Sequence, residues 1–135
     1  MRIKYMKIEE LQKNIDDTDY WDCKVLNFSI DYFGDEVNVV IEDDKQTAYV
    51  IKFLLCNKVE YETDAKNRWK EMEVKLMNRG QLAYYAHKID LKESEEKGFM
   101  EVNLVLAPLF AKIICKGILV NKIKYNDKDY FWGAN

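Results

Sequence analysis

The sequence is poor in the residues on which several kinds of catalytic site depend. It has one proline, one histidine and five glycines, no two of which lie close together. Loops that cradle phosphate need closely spaced glycines, so the common nucleotide-binding fingerprints are absent. The only serines, Ser29 and Ser94, lack the Gly-x-Ser-x-Gly context of a hydrolase nucleophile. The sequence therefore carries no motif of the common nucleotide enzymes or serine hydrolases.

Long apolar runs and paired cysteines are also missing. No run approaches the roughly 20 apolar residues that span a bilayer, and residues 1–7 are too mixed for a signal peptide. The three cysteines, Cys23, Cys56 and Cys115, are widely spaced and lie in apolar or strand-like stretches. An odd number without a Cys-x-x-Cys motif favours neither a disulfide scaffold nor zinc. We expect reduced, structural thiols and a cytoplasmic protein.

What the chain does contain is typical of a folded domain. Hydrophobic residues make up 48% and charged residues 33% of its 135 residues, which predicts a globular chain with one core and a single domain over 1–135. The net charge of −3 argues against bulk binding of nucleic acid. Residues 1–44 carry twelve acidic and five basic residues, whereas residues 45–135 carry twelve and sixteen. The acidic excess therefore lies in the first third.

Periodicity predicts a mainly β (α+β) fold. Ile8, Leu11 and Ile15 have the spacing of one helical face, which predicts a helix over 7–15. Strong helix formers predict a second, inserted helix over 65–77. Between and after them the pattern alternates with period two, which predicts six or seven strands in a curved antiparallel sheet or β-sandwich. The predicted strands cover residues 25–32, 37–41, 47–55, 56–63, 82–92, 100–106 and 110–123.

One short stretch after the first predicted helix is unusually acidic and aromatic. Four carboxylates and two large rings fall within seven consecutive residues, which are Asp16, Asp17, Thr18, Asp19, Tyr20, Trp21 and Asp22. As a calcium loop starting at Asp17, the stretch places Trp21 on a ligand position and Phe28 where a bidentate glutamate belongs. The register that starts at Asp16 also fails, because it places Thr18 and Tyr20 on ligand positions. We expect no metal and no cofactor.

Two interpretations of this stretch remain open. In one it is a solvated loop, with Tyr20 or Trp21 packed into the core beneath the helix. In the other it is an acidic surface with an aromatic anchor, which suits binding of a basic protein partner. The candidate partner-binding residues are then Asp16, Asp17, Asp19, Tyr20, Trp21 and Asp22.

A second set of polar residues surrounds the single histidine. His87 lies in a predicted strand close to Tyr84 and Tyr85. The alternative function is a small enzyme or ligand-binding β-barrel that uses His87, Tyr84 or Tyr85 and carboxylates inside the sheet. A deep concave pocket lined by His87 and carboxylates would favour that alternative, whereas a filled interior with a flat acidic face would favour a binding protein.

Several short stretches resemble small bacterial immunity-type proteins. They are the run 20–25 (Tyr-Trp-Asp-Cys-Lys-Val), the strand that follows residue 36 (Glu-Val-Asn-Val) and the late segment 111–116 (Ala-Lys-Ile-Ile-Cys-Lys). Trp21 stands where related openings have a histidine before the aspartate. The resemblance implies a β-rich, non-enzymatic domain that neutralises a cognate toxin by binding it.

Overall fold

A computed structural model of the chain describes residues 7–63 and 72–135. Over these residues it contains one α-helix, α1 (Ile8–Asp16), and nine strands. The strands, in chain order, are β1 (Cys23–Asp31), β2 (Glu36–Glu42), β3 (Thr47–Leu54), β4 (Lys58–Thr63), β5 (Tyr85–Ala86), β6 (Lys88–Glu93), β7 (Met100–Leu106), β8 (Leu109–Cys115) and β9 (Gly117–Lys124).

The strands form two antiparallel sheets. The first sheet has the order β5-β1-β2-β3-β9 and the second the order β4-β8-β7-β6. One apolar core joins them, because alternate residues of both sheets are buried in the same cluster. Val39 and Phe53 from the first sheet and Leu104 and Ile113 from the second are almost completely inaccessible to solvent. The predicted mainly β, antiparallel fold is confirmed.

The predicted strand count of six or seven is too low, because two extended segments each pass from one sheet to the other. The segment 82–92 divides at His87 into β5 and β6, and the segment 110–123 divides at Lys116 into β8 and β9. Gly117, which the sequence suggests as a bulge, is the first residue of β9. An extended chain keeps its strand-like composition through such a crossing, so the sequence pattern does not mark it.

The crossing at His87 also changes which side chains point inward. The sequence pattern places Tyr85, His87 and Ile89 on one face. In the structure Ala86 and Ile89 are both fully buried, and His87 between them is exposed. Period-two alternation holds only within one pleated strand, and the break between β5 and β6 shifts the pattern by one residue.

The inserted helix predicted over 65–77 lies partly outside the described residues, since nothing is described for 64–71. Its described end is a 3-10 turn, Val74–Leu76, rather than an α-helix. Met72 and Leu76, which the helical spacing places on the buried face, are exposed, and Met77 is buried instead. Val74 and Met77 share the inner side, and this spacing of three is that of a 3-10 turn.

A second apolar cluster covers part of the outer face of the first sheet. Leu26 of β1 contributes to it together with Met77, Tyr125 and Trp132. Trp132 is buried, and its indole nitrogen donates a hydrogen bond to the Leu26 carbonyl oxygen at 2.8 Å. The first sheet is therefore covered on its inner face and on part of its outer face.

Helix α1 lies against β6 and β9, which are edge strands of the two sheets. Leu11 and Ile15 are buried and Ile8 packs beside them, which confirms the helical face predicted from the sequence. A helix of nine residues is too short to be stable alone. Its burial against the sheet edges is what maintains it.

Gln12 fastens this helix to the free edge of β6. Its side-chain amide donates to the Ile89 carbonyl oxygen at 2.8 Å, and its carbonyl oxygen accepts from the Leu91 amide at 2.8 Å. An edge strand exposes just such unpaired backbone groups, which otherwise need water or another strand. One glutamine side chain therefore replaces part of a missing neighbouring strand.

The Gln12→Ala variant should lower the free energy of unfolding by about 1–3 kcal/mol, since it leaves two part-buried backbone groups without their partner. Urea denaturation measures the change. Asn14→Ala is the matched control, because Asn14 lies exposed on the same helix. Equal stabilities for the two variants would contradict the role assigned to Gln12.

Candidate functional site

The acidic stretch forms a loop, residues 16–22, which we call the opening loop. It begins where α1 ends. Thr18 is buried, and both its hydroxyl, at 2.6 Å, and its backbone amide, at 3.1 Å, donate to the Ile15 carbonyl oxygen in the last turn of the helix. Asp19 follows with a φ of 55°, the left-handed conformation that ends many helices. The change in chain direction is therefore built into these two residues.

Tyr20 and Trp21 point in opposite directions. The Tyr20 ring packs against the core, and its hydroxyl accepts a hydrogen bond from the Ile89 amide at 3.0 Å. Burial raises the pKa of Tyr20, and the charges of Asp16 and Asp90 raise it further. Trp21 is 69% exposed. Of the two rings that the sequence offers for the core, Tyr20 is the one that packs there.

Backbone hydrogen bonds fix the chain on both sides of Trp21. The Cys23 amide donates to the Tyr20 carbonyl oxygen at 2.9 Å and closes a turn. The Asp22 amide donates to the Ala86 carbonyl oxygen at 2.7 Å. Trp21 therefore projects from a hydrogen-bonded turn, and little conformational entropy of the backbone remains to be lost when a partner covers the ring.

All four carboxylates of the opening loop, those of Asp16, Asp17, Asp19 and Asp22, are exposed. Lys13 pairs with Asp17 at 2.8 Å, and Gln12 donates to Asp16 at 2.9 Å. The structure therefore brings the predicted carboxylates together on one exposed loop around Trp21. In the part of the chain that the structure describes, no group of three or more potential ligands could hold a metal ion.

The position of these carboxylates does not serve the stability of the helix. The C-terminal end of a helix carries partial negative charge, so an acidic side chain there is unfavourable by about 0.3–1 kcal/mol. Asp16 and Asp17 occupy that end. The ion pair between Lys13 and Asp17 is exposed, and such pairs contribute little. Local folding therefore does not explain the carboxylates of Asp16 and Asp17, whereas Asp19 and Asp22 have left-handed backbones, which aspartate tolerates.

The thiols are all free. Cys115 is buried, and its pKa is raised by its hydrogen bond to Cys56 and by burial, whereas that hydrogen bond lowers the pKa of Cys56. Burial raises the pKa of Cys23, and the nearby negative charges, that of Asp19 first among them, raise it further. These charges include Asp19 and Asp22 of the opening loop and also Glu42 and Asp43, which lie outside it.

The residues of the enzyme alternative do not form a buried catalytic group. His87 is exposed where the chain crosses between the sheets, and its amide donates to Val105. The Tyr85 amide donates to Ala107, and the Tyr84 hydroxyl lies 3.5 Å from the Thr63 hydroxyl. Over the described residues the two sheets do not close into a barrel. The space between them is filled by apolar side chains.

One exposed aromatic feature was missed by the sequence interpretation, which treats it as an ordinary turn. The turn Tyr32–Gly34 joins β1 to β2, and both Tyr32 and Phe33 have left-handed backbones, with φ of 54° and 60°. Tyr32 is 75% exposed and Phe33 is fully exposed. A bulky residue in this conformation costs roughly 1–2 kcal/mol. Two adjacent rings in a turn, flanked by Asp31 and Asp35, are the signal that could have identified it.

Comparison with known protein families assigns the chain to one of them. The family model Immunity protein PIM7 matches residues 7–122, which is most of the chain. The chain belongs to this immunity protein family. The resemblance read from the sequence is thereby confirmed, including a role as an immunity protein.

The other comparisons add little to the PIM7 assignment. No curated protein matches the chain. An uncharacterised protein from Neisseria gonorrhoeae, known from a crystal structure, is similar with a TM-score of 0.49 and 12% sequence identity. That alignment covers 76% of this chain and 92% of the other. None of the helices within residues 7–63 and 72–135 is long and apolar enough to cross a bilayer.

Replacing Asp16, Asp17 and Asp19 together by asparagine should leave Tm unchanged or slightly raised. The substitution removes negative charge from the helix C-terminus, and asparagine tolerates the left-handed backbone of residue 19. Differential scanning calorimetry measures the change, which should stay within about 1 kcal/mol per position. Calcium or magnesium should stabilise neither protein. A metal-induced rise in Tm for the native chain alone would contradict this account and restore a metal site.

Site-resolved labelling with iodoacetamide tests the field of the opening loop. Cys115 should react only after unfolding, because it is buried and its pKa is raised. The rate profile of Cys23 should have its midpoint above that of a free thiol, and Asp19→Asn should move this midpoint to lower pH, since a negative neighbour disfavours the thiolate. A Cys23 profile that is identical in the two proteins would contradict the placement of the charge.

Proposed function

We propose that the chain acts as a single-domain, non-enzymatic immunity protein that neutralises a cognate toxin in the cytoplasm by binding it. Membership of the PIM7 immunity protein family supports a protein toxin as the partner. The observation that carries the location of binding is Trp21, which is exposed on the same short loop as four exposed carboxylates. The three free thiols fit a reducing compartment.

In this proposal the opening loop is the contact surface. Trp21 and the carboxylates of Asp17, Asp19 and Asp22 touch the toxin directly. Tyr20 takes part by positioning, because its hydrogen bond to Ile89 holds the turn from which Trp21 projects. Asp16 lies at the helix end of the same surface.

The charge of this surface selects the kind of toxin face that fits it. The opening loop has four carboxylates, and one of them, that of Asp17, is paired with Lys13 of α1. The loop is therefore negatively charged, which favours a toxin face rich in arginine or lysine. Exposed charges mainly accelerate the encounter, and salt screens them over about 8–10 Å. Trp21 provides apolar contact area, and tryptophan is enriched among the residues that dominate interface energies. We therefore assign association chiefly to the carboxylates and complex lifetime chiefly to Trp21.

The test uses the toxin domain encoded beside this protein in the genome of its host, purified in a catalytically inactive form. Surface plasmon resonance should show tight binding to the native chain. The Trp21→Ala variant should weaken binding roughly 30-fold through faster dissociation, with Tm unchanged. The triple asparagine variant at residues 16, 17 and 19 should slow association, and the deficit should shrink as salt rises.

Leu76→Ala is the control for Trp21, because Leu76 is an apolar residue of similar exposure in a different part of the chain. It should bind like the native chain. If the native chain does not bind the toxin domain, the proposed function is wrong. If it binds and Trp21→Ala binds equally well, the opening loop is not the contact surface.

A further inference from the structure

The turn between β1 and β2 contains two aromatic residues in a backbone conformation that is unfavourable for them. Tyr32, Phe33 and Gly34 all have left-handed backbones, which glycine adopts freely and aromatic residues rarely adopt. Neither ring is buried against the protein. Glycine or asparagine would suit residue 33 better, so the turn keeps an exposed phenylalanine at a conformational cost. Such departures from local preference concentrate at functional surfaces.

Carboxylates flank these rings in the sequence, and two of them are held in place by hydrogen bonds. The side-chain amide of Asn38 donates to Asp31 at 2.7 Å and to Glu36 at 2.9 Å, so that one donor keeps two negative groups side by side. The Ser29 hydroxyl adds a hydrogen bond to Asp31 at 2.8 Å. Asp35 is exposed next to them. Among the described residues, none of these three carboxylates forms an ion pair.

A shallow groove extends the same surface toward β4. Ile30 and Tyr32 line it from the turn, and Val59 and Tyr61 line it from β4. Tyr61 is half exposed, with its ring 5.9 Å from that of Phe28. Lys58 also lines the groove, but its ammonium group is paired with the carboxylate of Glu60 at 3.0 Å. Asp35 also lines the groove, whereas Asp31 and Glu36 lie on the opposite face of the β1–β2 pair, because they alternate with Ile30 and Val37. The groove is therefore apolar and carries one carboxylate, that of Asp35, which forms no ion pair among the described residues.

We propose that this turn surface, made of Ile30, Tyr32, Phe33, Asp35 and Tyr61, is a second contact with the toxin. The proposal rests on the proposed function. The part of the toxin that fits it has an apolar recess for the two rings, bordered by an arginine or lysine side chain opposite the carboxylate of Asp35. The charge of Asp35 favours a basic side chain opposite it, and no element within residues 7–63 and 72–135 covers the surface. Rings already held outward are suited to such a recess.

The distance between the two surfaces sets the size of the complex. They lie at opposite ends of β1, whose nine residues span roughly 26 Å at about 3.3 Å per residue. An interface of standard size covers about 800 Å² of each partner and reaches only about 16 Å from its centre. A standard interface is therefore about 32 Å across, so a toxin that contacts both surfaces needs an interface of at least about that size. Because the two contacts are far apart, their contributions to the free energy of binding should be additive.

The experiment compares Phe33→Asn with the native chain against the same inactive toxin domain. Asparagine tolerates the left-handed backbone, so the variant should be as stable as the native chain or more stable in calorimetry. Its dissociation should be roughly 30-fold faster, whereas the salt dependence of association should be unchanged. The control Leu76→Asn, which makes the same kind of change at an exposed leucine elsewhere, should dissociate at the native rate.

A combined variant distinguishes this inference from the proposed function. Trp21→Ala and Phe33→Asn together should weaken binding by the product of their separate factors. If Phe33→Asn binds like the native chain while Trp21→Ala does not, the turn surface is not a contact and the proposed function stands. If the native chain does not bind the toxin domain at all, both proposals fail.

Discussion

The free edge of β6 is the constraint on which the candidate surface depends. The Ile89 amide, the Ile89 carbonyl and the Leu91 amide face away from the sheet, and two side chains satisfy them. Tyr20 accepts from the Ile89 amide, and Gln12 bonds the other two groups. Buried or part-buried backbone groups need partners. The helix and the loop that follows it are therefore held against the same strand.

The outward projection of Trp21 follows from this arrangement. Tyr20 is turned inward to reach Ile89, and the hydrogen-bonded turn that follows it leaves Trp21 exposed. The turn is then closed by the Cys23 amide and continues directly into β1. Fixing the loop on a sheet edge gives it the rigidity that a binding surface needs, since little ordering entropy remains to oppose association.

The sequence predicted much of this architecture, because alternation and helical spacing report burial directly. The buried face of α1 was predicted correctly. The crossings at His87 and Lys116 were not predicted, since an extended chain that changes sheets keeps the composition of a strand. The direction of Trp21 was also open, because it depends on the contact of Tyr20 with a strand 69 residues away.

We propose that the opening loop is already ordered in the free chain and contacts the toxin without rearranging. Amide hydrogen exchange, measured by NMR on the free chain and on its complex with the toxin domain, tests it most directly. We expect the amides of Ile89 and Leu91 to be protected already in the free chain, and those of residues 16–22 to gain protection in the complex. Fast exchange at Ile89 in the free chain, or unchanged exchange across 16–22 on binding, would contradict the account.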